Sequence, residues 1–241
     1  MVINNPIVTD SEWLQATAVA IQNKDGGSKM EVSDFASRIE QNLQSKAVLD
    51  SVIDRSITSI ENSEVTSIGP YAFCSCTSLT SVSFPNATSI KSYAFNSCTK
   101  LASVSLPNAT SIGGNAFSYS PQLASISLPN ATSIEGNAFS YSPQLASISL
   151  PNATSIKNYA FNSCTKLASV ILGKRATLSN SNAFNNANSA IIYVQPEDLT
   201  WYSTATNWST LYAQNRIKSI EDLTGDDLAW YQEQLARYQA A

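Results

Sequence analysis

The 241-residue chain contains no histidine. That removes the commonest general base, the usual partner of a nucleophilic serine or cysteine, and the commonest transition-metal ligand. Charge is scarce too: only 13% of residues are Asp, Glu, Lys or Arg, roughly half the usual share. The surface must therefore be built from Ser, Thr, Asn and Gln. A net charge of −4, with no cluster of basic residues and aromatics, excludes the electrostatic footprint of a phosphate backbone, so no nucleic acid partner is expected. No apolar run approaches the roughly 18 residues of a membrane span, and the opening MVINNPIVTD lacks the charged and apolar regions of a secretion signal. Membrane insertion is not expected. Phosphate loops, GxGxxG turns and GxSxG elbows are missing as well. The chain reads as a non-enzyme, with no catalytic residue, no cofactor and no metal site.

What the chain has is repetition. Thr110 to Ala131, TSIGGNAFSYSPQLASISLPNA, is followed by Thr132 to Ala153, TSIEGNAFSYSPQLASISLPNA, and the two differ only at Gly113 versus Glu135. Phe73, Phe95, Phe117, Phe139 and Phe161 recur every 22 residues, a period that marks a solenoid of stacked units. Each unit carries Ile as its third residue (Ile68, Ile90, Ile112, Ile134, Ile156), then Ala-Phe, then Leu. A period-two stretch follows, such as Val82 and Phe84 or Ile126 and Leu128 with serine between them. That alternation predicts a half-buried strand with aliphatics inward and serines outward. Pro-Asn closes each strand, at Pro85-Asn86, Pro107-Asn108, Pro129-Asn130 and Pro151-Asn152, where the ring fixes φ and the amide can bond to backbone. Stacked units should form a parallel sheet with strands about 4.8 Å apart and an asparagine ladder along one corner.

The ends depart from the repeat as capping requires. Residues 1–50 are expected to form an arm and a helical hairpin, with Trp13, Leu14 and Ile21 on one stripe and Phe35, Ile39 and Leu43 on the next, joined by the Gly-containing turn KDGGS. Residues 51–196 form the solenoid. Residues 197–241 form a helical cap, beginning at Pro196 with Glu197 and Asp198 at the positive end of a helix. Trp201, Tyr202, Trp208, Leu211 and Tyr212 cover the open end of the array, and a last helix carries Leu228, Tyr231, Leu235 and Tyr238.

The frame I-x-x-x-A-F-x-x-C-x-x-L-x-x-I-x-L-P, carried by Ile90 to Pro107, resembles the BspA-like class of leucine-rich repeats. The likeness covers roughly Ile57 to Pro196. It implies an α/β repeat fold, a leucine-rich-repeat solenoid of strands and irregular return segments, in a class of mostly binding proteins of bacterial, protist and phage surfaces. The flanks, KMEVSDFASRIE at Lys29 to Glu40 and Ile192 to Ile220, look like units that bracket such arrays in Firmicute phages and prophages. The combination implies a phage or prophage particle component contacting a host surface glycan or protein, found in the virion or released by lysis. A bacterial surface adhesin and an architectural spacer are the alternatives. Attachment to an assembly, or pairing with a second copy, would use the N- or C-terminal helices.

Candidate site residues divide by slot. Cys76, Cys98 and Cys164 stand three residues after the core Phe, where Ser120 and Ser142 replace them; this suits a small buried side chain. Cys74-x-Cys76 without His or a second pair lacks zinc spacing. A Cys76–Cys98 disulfide is within reach of stacked units, although reduced thiols are expected without a secretory route. The strand serines form rows, among them Ser103, Ser105, Ser125, Ser127, Ser147 and Ser149, read either as a hydroxyl face for a glycan or peptide or as neutral solvated filler. Tyr119 and Tyr141 stand two residues after the core Phe where other units have Ser97 and Ser163. They offer exposed rigid area for binding, or else pack over Pro121 and Pro143.

Overall fold

The computed structural model describes residues 55–226, 228–229 and 231–233. The helical hairpin expected before residue 50 lies outside the described residues, as do Leu235 and Tyr238 of the expected last helix. Each 22-residue unit supplies two strands. In chain order they are β1 (Ser59–Glu61) and β2 (Ser67–Ile68), β3 (Ser81–Ser83) and β4 (Ser89–Ile90), β5 (Ser103–Ser105) and β6 (Ser111–Ile112). Then come β7 (Ser125–Ser127) and β8 (Ser133–Ile134), β9 (Ser147–Leu150) and β10 (Ser155–Ile156), β11 (Ser169–Leu172) and β12 (Thr177–Leu178). All pairings are parallel and link residues of successive units, for example Ile60 with Val82 and Ile134 with Ile156.

The first strands carry the predicted alternation through β7, whereas β9 and β11 are buried at every residue. Val82, Ile126, Ile148 and Val170 point inward and are buried. The second strand was not legible in sequence, because its two residues are too short to show a period; it comprises the Ser-Ile of the Thr-Ser-Ile triplet and places Ile68, Ile90, Ile112, Ile134 and Ile156 in the core at 0% exposure. A third set of rungs runs through the return segment. There the N–H groups two before, at, and two after Phe73, Phe95, Phe117 and Phe139 donate to carbonyls of the next unit at 2.7–3.1 Å, as in Tyr71 to Ser92, Phe73 to Ala94 and Ser75 to Asn96. The backbone is thus tied on three sides.

Inside, the phenylalanines form one column. Phe73, Phe95, Phe117, Phe139, Phe161 and Phe184 stack with centroids 5.2–5.6 Å apart and planes within 16° of parallel. Each is buried, worth about 1.5–3 kcal/mol of transfer free energy apiece. No unit could cover its own ring, so each depends on its neighbours.

Pro-Asn corners behave as expected. Asn86, Asn108, Asn130 and Asn152 donate through Nδ2 to the carbonyl 23 residues earlier at 2.7–2.9 Å. The ladder therefore bonds amide to backbone of the preceding unit rather than amide to amide.

The C-terminal end is capped as the aromatics indicated, with one addition. After β13 (Ile191–Val194), Pro196 opens a 3-10 turn, followed by α1 (Leu199–Thr204) and α2 (Trp208–Ala213). Trp208 continues the aromatic column, 6.2 Å from Phe184, and its Nε1 donates to Ala176 O at 2.6 Å. Tyr202 donates to Lys174 O and accepts from Ala176 N–H, while Tyr212 points outward at 41% exposure. The chain then returns as β14 (Ile217–Ser219), which pairs with β13 in parallel. The segment read as purely helical thus gives the sheet one more strand.

Candidate functional site

The expected serine face is only partly available. The first strands split into two sheets, β1-β3-β5 and β7-β9-β11-β13-β14, with no strand pairing between β5 and β7. Ser103, Ser105 and Ser125 are exposed and Ser127 is half-buried. Ser147 and Ser149, however, are buried at 9% and 1%, which contradicts the reading of both as contact residues. For Ser149, the row it belongs to turns apolar toward the C-terminal end. Next to Ser149 in register stands Ile171, and next to Ile171 stands Tyr193. Ile171 is 1% exposed yet outside the main apolar cluster, as is Leu223 just beyond the Ile220–Asp222 turn that lies against β13. At this end the outward side of the sheet is a packing surface.

The tyrosines fare differently. Tyr119 and Tyr141 are 50% and 45% exposed, the most open large apolar side chains described. Their rings stack with centroids 4.6 Å apart and planes 8° from parallel. The pair packs on itself, leaving ring edges, two phenol hydroxyls and one outer face at each end, beside the small Ser97 and Ser163 slots. Sequence reasoning missed their companions. Tyr71 and Tyr93 stack at 4.8 Å and 5°, and Tyr159 is 40% exposed. These three occupy the slot two before the core Phe, which the central units fill with Asn115 and Asn137.

All five tyrosines hold positive φ, between 57° and 61°. The return segment imposes this twice per unit, since Ser75, Ser97, Asn115, Asn137 and Ser163 share it. For an L side chain this region costs roughly 1–2 kcal/mol per residue, and asparagine tolerates it best. A bulky ring where asparagine or glycine would be cheaper is a departure from local preference of the kind found at functional sites. Ring stacking, worth about 0.5–1.5 kcal/mol per pair, offsets part of that cost.

The cysteines take the structural role. Cys76, Cys98 and Cys164 are fully buried, and neither they nor the half-buried Cys74 form a disulfide. Cys98 and Cys164 donate to Phe73 O and Phe139 O at 3.0 and 3.1 Å, and Ser142 does the same to Phe117 O at 3.2 Å. At these three positions the slot bolts a unit to the one before it, whereas the buried Ser120 hydroxyl makes no such bond. Burial pushes the Cys164 thiol up to about 12, against a small opposing effect of the Ser142 backbone, and raises Cys98 as well. Neither is a thiolate nucleophile at neutral pH. Among the described residues no three His, Cys, Asp or Glu side chains gather where they could hold a metal, and no helix is long and apolar enough to cross a membrane.

Known proteins place this geometry. The BspA type leucine-rich repeat region matches residues 53–153 and 132–223, in six copies. Among solved structures, a leucine-rich repeat protein from Bacteroides ovatus is 27% identical with a TM-score of 0.52, over 58% of this chain and 40% of that one. The pneumococcal vaccine antigen PcpA superposes with the same TM-score at 17% identity, over 68% of this chain and 40% of its own. A leucine-rich cell surface protein from Faecalibacterium prausnitzii is 22% identical with a TM-score of 0.33, over 57% of this chain and 60% of that one. The chain thus spans about 40% of the first two structures. No curated protein matches it.

Proposed function

We propose that this chain, which belongs to the BspA-type leucine-rich repeat family, is a non-enzymatic recognition protein that presents the tyrosine-bearing side of its solenoid to a ligand on a host cell surface. The observation that carries the reading is the Tyr119–Tyr141 pair: two half-exposed rings, stacked and held at positive φ on a backbone bonded to both neighbouring units. Rigid amphipathic rings lose little conformational entropy on binding, which is why tyrosine dominates many recognition surfaces. The exposed serines Ser103, Ser105 and Ser125 flank the array on another side and supply weak polar contact at most.

The protein acts outside the producing cell in this reading. Display on a phage particle is favoured by the flanking segments Lys29 to Glu40 and Ile192 to Ile220, whose likeness to phage-encoded units is independent of the repeats. Display on a bacterial surface as an adhesin is the second reading, favoured by the repeat class itself. Immunogold labelling separates the two: antibody on virions supports the particle, antibody on intact producing cells supports the adhesin, and labelling of neither removes both. Binding of the fluorescently labelled full chain to intact candidate host cells tests recognition itself, and binding unchanged by Tyr119→Ala with Tyr141→Ala would leave only a spacer role.

A further inference from the structure

A second feature of the solenoid lies away from the tyrosines. The Pro-Asn-Ala-Thr corners line up into an open groove of about 580 Å³, walled by Asn108, Asn130, Thr110 and Thr132 with the equivalent residues of the adjoining units, and ending at Lys174. Between the rows the alanines Ala109 and Ala131 are fully buried, so the asparagine and threonine side chains form the groove surface.

Its hydrogen-bonding polarity leans toward acceptors. Each asparagine amide gives a proton to a backbone carbonyl of the unit before it, Asn108 to Pro85 O and Asn130 to Pro107 O, both at 2.9 Å. That uses one of the two Nδ2 protons, so each asparagine keeps Oδ1 as an acceptor and one N–H as a donor. Each threonine hydroxyl likewise spends its single proton on the preceding unit, Thr110 to Thr88 O at 3.0 Å and Thr132 to Thr110 O at 3.1 Å, leaving only lone pairs free. Each unit therefore presents two acceptors, Asn Oδ1 and Thr Oγ1, beside a single amide N–H, and the set repeats about 4.8 Å apart.

From this polarity we infer that the groove is a binding site for a neutral, hydroxyl-rich polymer, a polysaccharide chain laid along the solenoid axis. The ligand must bring donors in excess and accept one N–H per unit, and sugar hydroxyls do both at every residue. A peptide edge carries donors and acceptors in equal number, which leaves one wall acceptor per unit without a donor. A divalent cation needs six to eight oxygens at 2.3–2.6 Å, whereas files spaced by about 4.8 Å do not converge. Polyamines are disfavoured by Lys174, the sole charged wall residue among those described, and polyanions by the acceptor files. This inference is independent of the tyrosine-side reading.

Affinity electrophoresis of the full chain through gels containing dextran, hydroxyethylcellulose or galactomannan tests it, with polygalacturonate as the acidic counterpart. At least one neutral gel should retard the protein and the acidic gel should not. Replacing Thr110 and Thr132 together by Val keeps side-chain shape and removes the acceptors. Retardation should fall at least five-fold, whereas Thr→Ser at both positions should retain it and Tyr119→Ala with Tyr141→Ala should not change it. Amide shift mapping of the unmodified chain with the retarding glycan should move residues 108–110 and 130–132. The inference is overturned if no neutral gel retards the protein, if the valine pair leaves retardation unchanged, or if the shifts cluster at the tyrosines instead; the last result would leave the tyrosine reading standing alone.

Discussion

Tyr119 and Tyr141 lie face to face, centroids 4.6 Å apart and planes within 8° of parallel, although each stands at a φ that disfavours a side chain of its size. The same relationship one layer deeper, between Phe117 and Phe139 at 5.4 Å and 3°, builds the core. One stacking register thus runs through the interior and reappears on the surface, which makes the tyrosine pair as rigid as the solenoid carrying it. Stability and recognition can be separated by experiment on that basis.

Phe117→Ala should destabilise the chain by about 3–5 kcal/mol, because it removes a fully buried ring from the middle of the column and leaves a cavity between two neighbours that cannot close up. Chemical denaturation should show a lower midpoint. A loss below 1 kcal/mol would mean the column is not the core.

Gly113 and Gly136 should respond differently to alanine. A Cβ at Gly113 would sit 2.6 Å from backbone atoms of Lys91 and Ser92, whereas at Gly136 it would meet nothing nearer than Asn158 O at 3.4 Å. Gly113→Ala should cost roughly 1–3 kcal/mol through overpacking against backbone, and Gly136→Ala should be close to neutral. Paired thermal melts check the difference.

Thiol reactivity should follow burial. In the native chain Cys74 should alkylate quickly and Cys76, Cys98 and Cys164 slowly, as mass spectrometry of iodoacetamide-treated protein will show. The pH dependence has a definite sign: Cys164 is raised from 9.0 to about 12 in the folded state, so the folded chain holds its proton more tightly than the unfolded chain. The stability it contributes is complete below about pH 9 and is lost as pH rises toward 12.

Trp208→Phe should weaken the cap by about 1–3 kcal/mol, because the ring stays but the buried Ala176 carbonyl loses the Nε1 donor at 2.6 Å. Limited proteolysis should then begin near residues 199–223.

Much of the fold was legible before any coordinates. The 22-residue recurrence of Phe, the Ser-aliphatic alternation and the Pro-Asn corners all reflect contacts made between identical positions of adjacent units, so the pattern repeats wherever the contact does. What stayed hidden depends on other relationships. The Ser-Ile strand is too short to show a period. Burial of Ser149 goes with Ile171, its neighbour one unit on, which lies outside the repeated pattern. Tyr71, Tyr93 and Tyr159 escaped notice because their positive φ is set by the return segment and not by any local glycine, although their recurrence two residues before Phe was a usable signal. β14 follows two helices, and its Ile217-Lys-Ser219 is too brief to announce a strand.

Binding of the full chain to intact candidate host cells, compared with the chain carrying Tyr119→Ala and Tyr141→Ala, tests the recognition reading most directly. Both side chains are half-exposed and alanine meets the same φ cost through its Cβ, so the double variant should lose little beyond the ring stacking, about 0.5–1.5 kcal/mol, while losing at least ten-fold in affinity. Equal binding by parent and variant, at equal stability, would contradict the assignment of recognition to the tyrosine side.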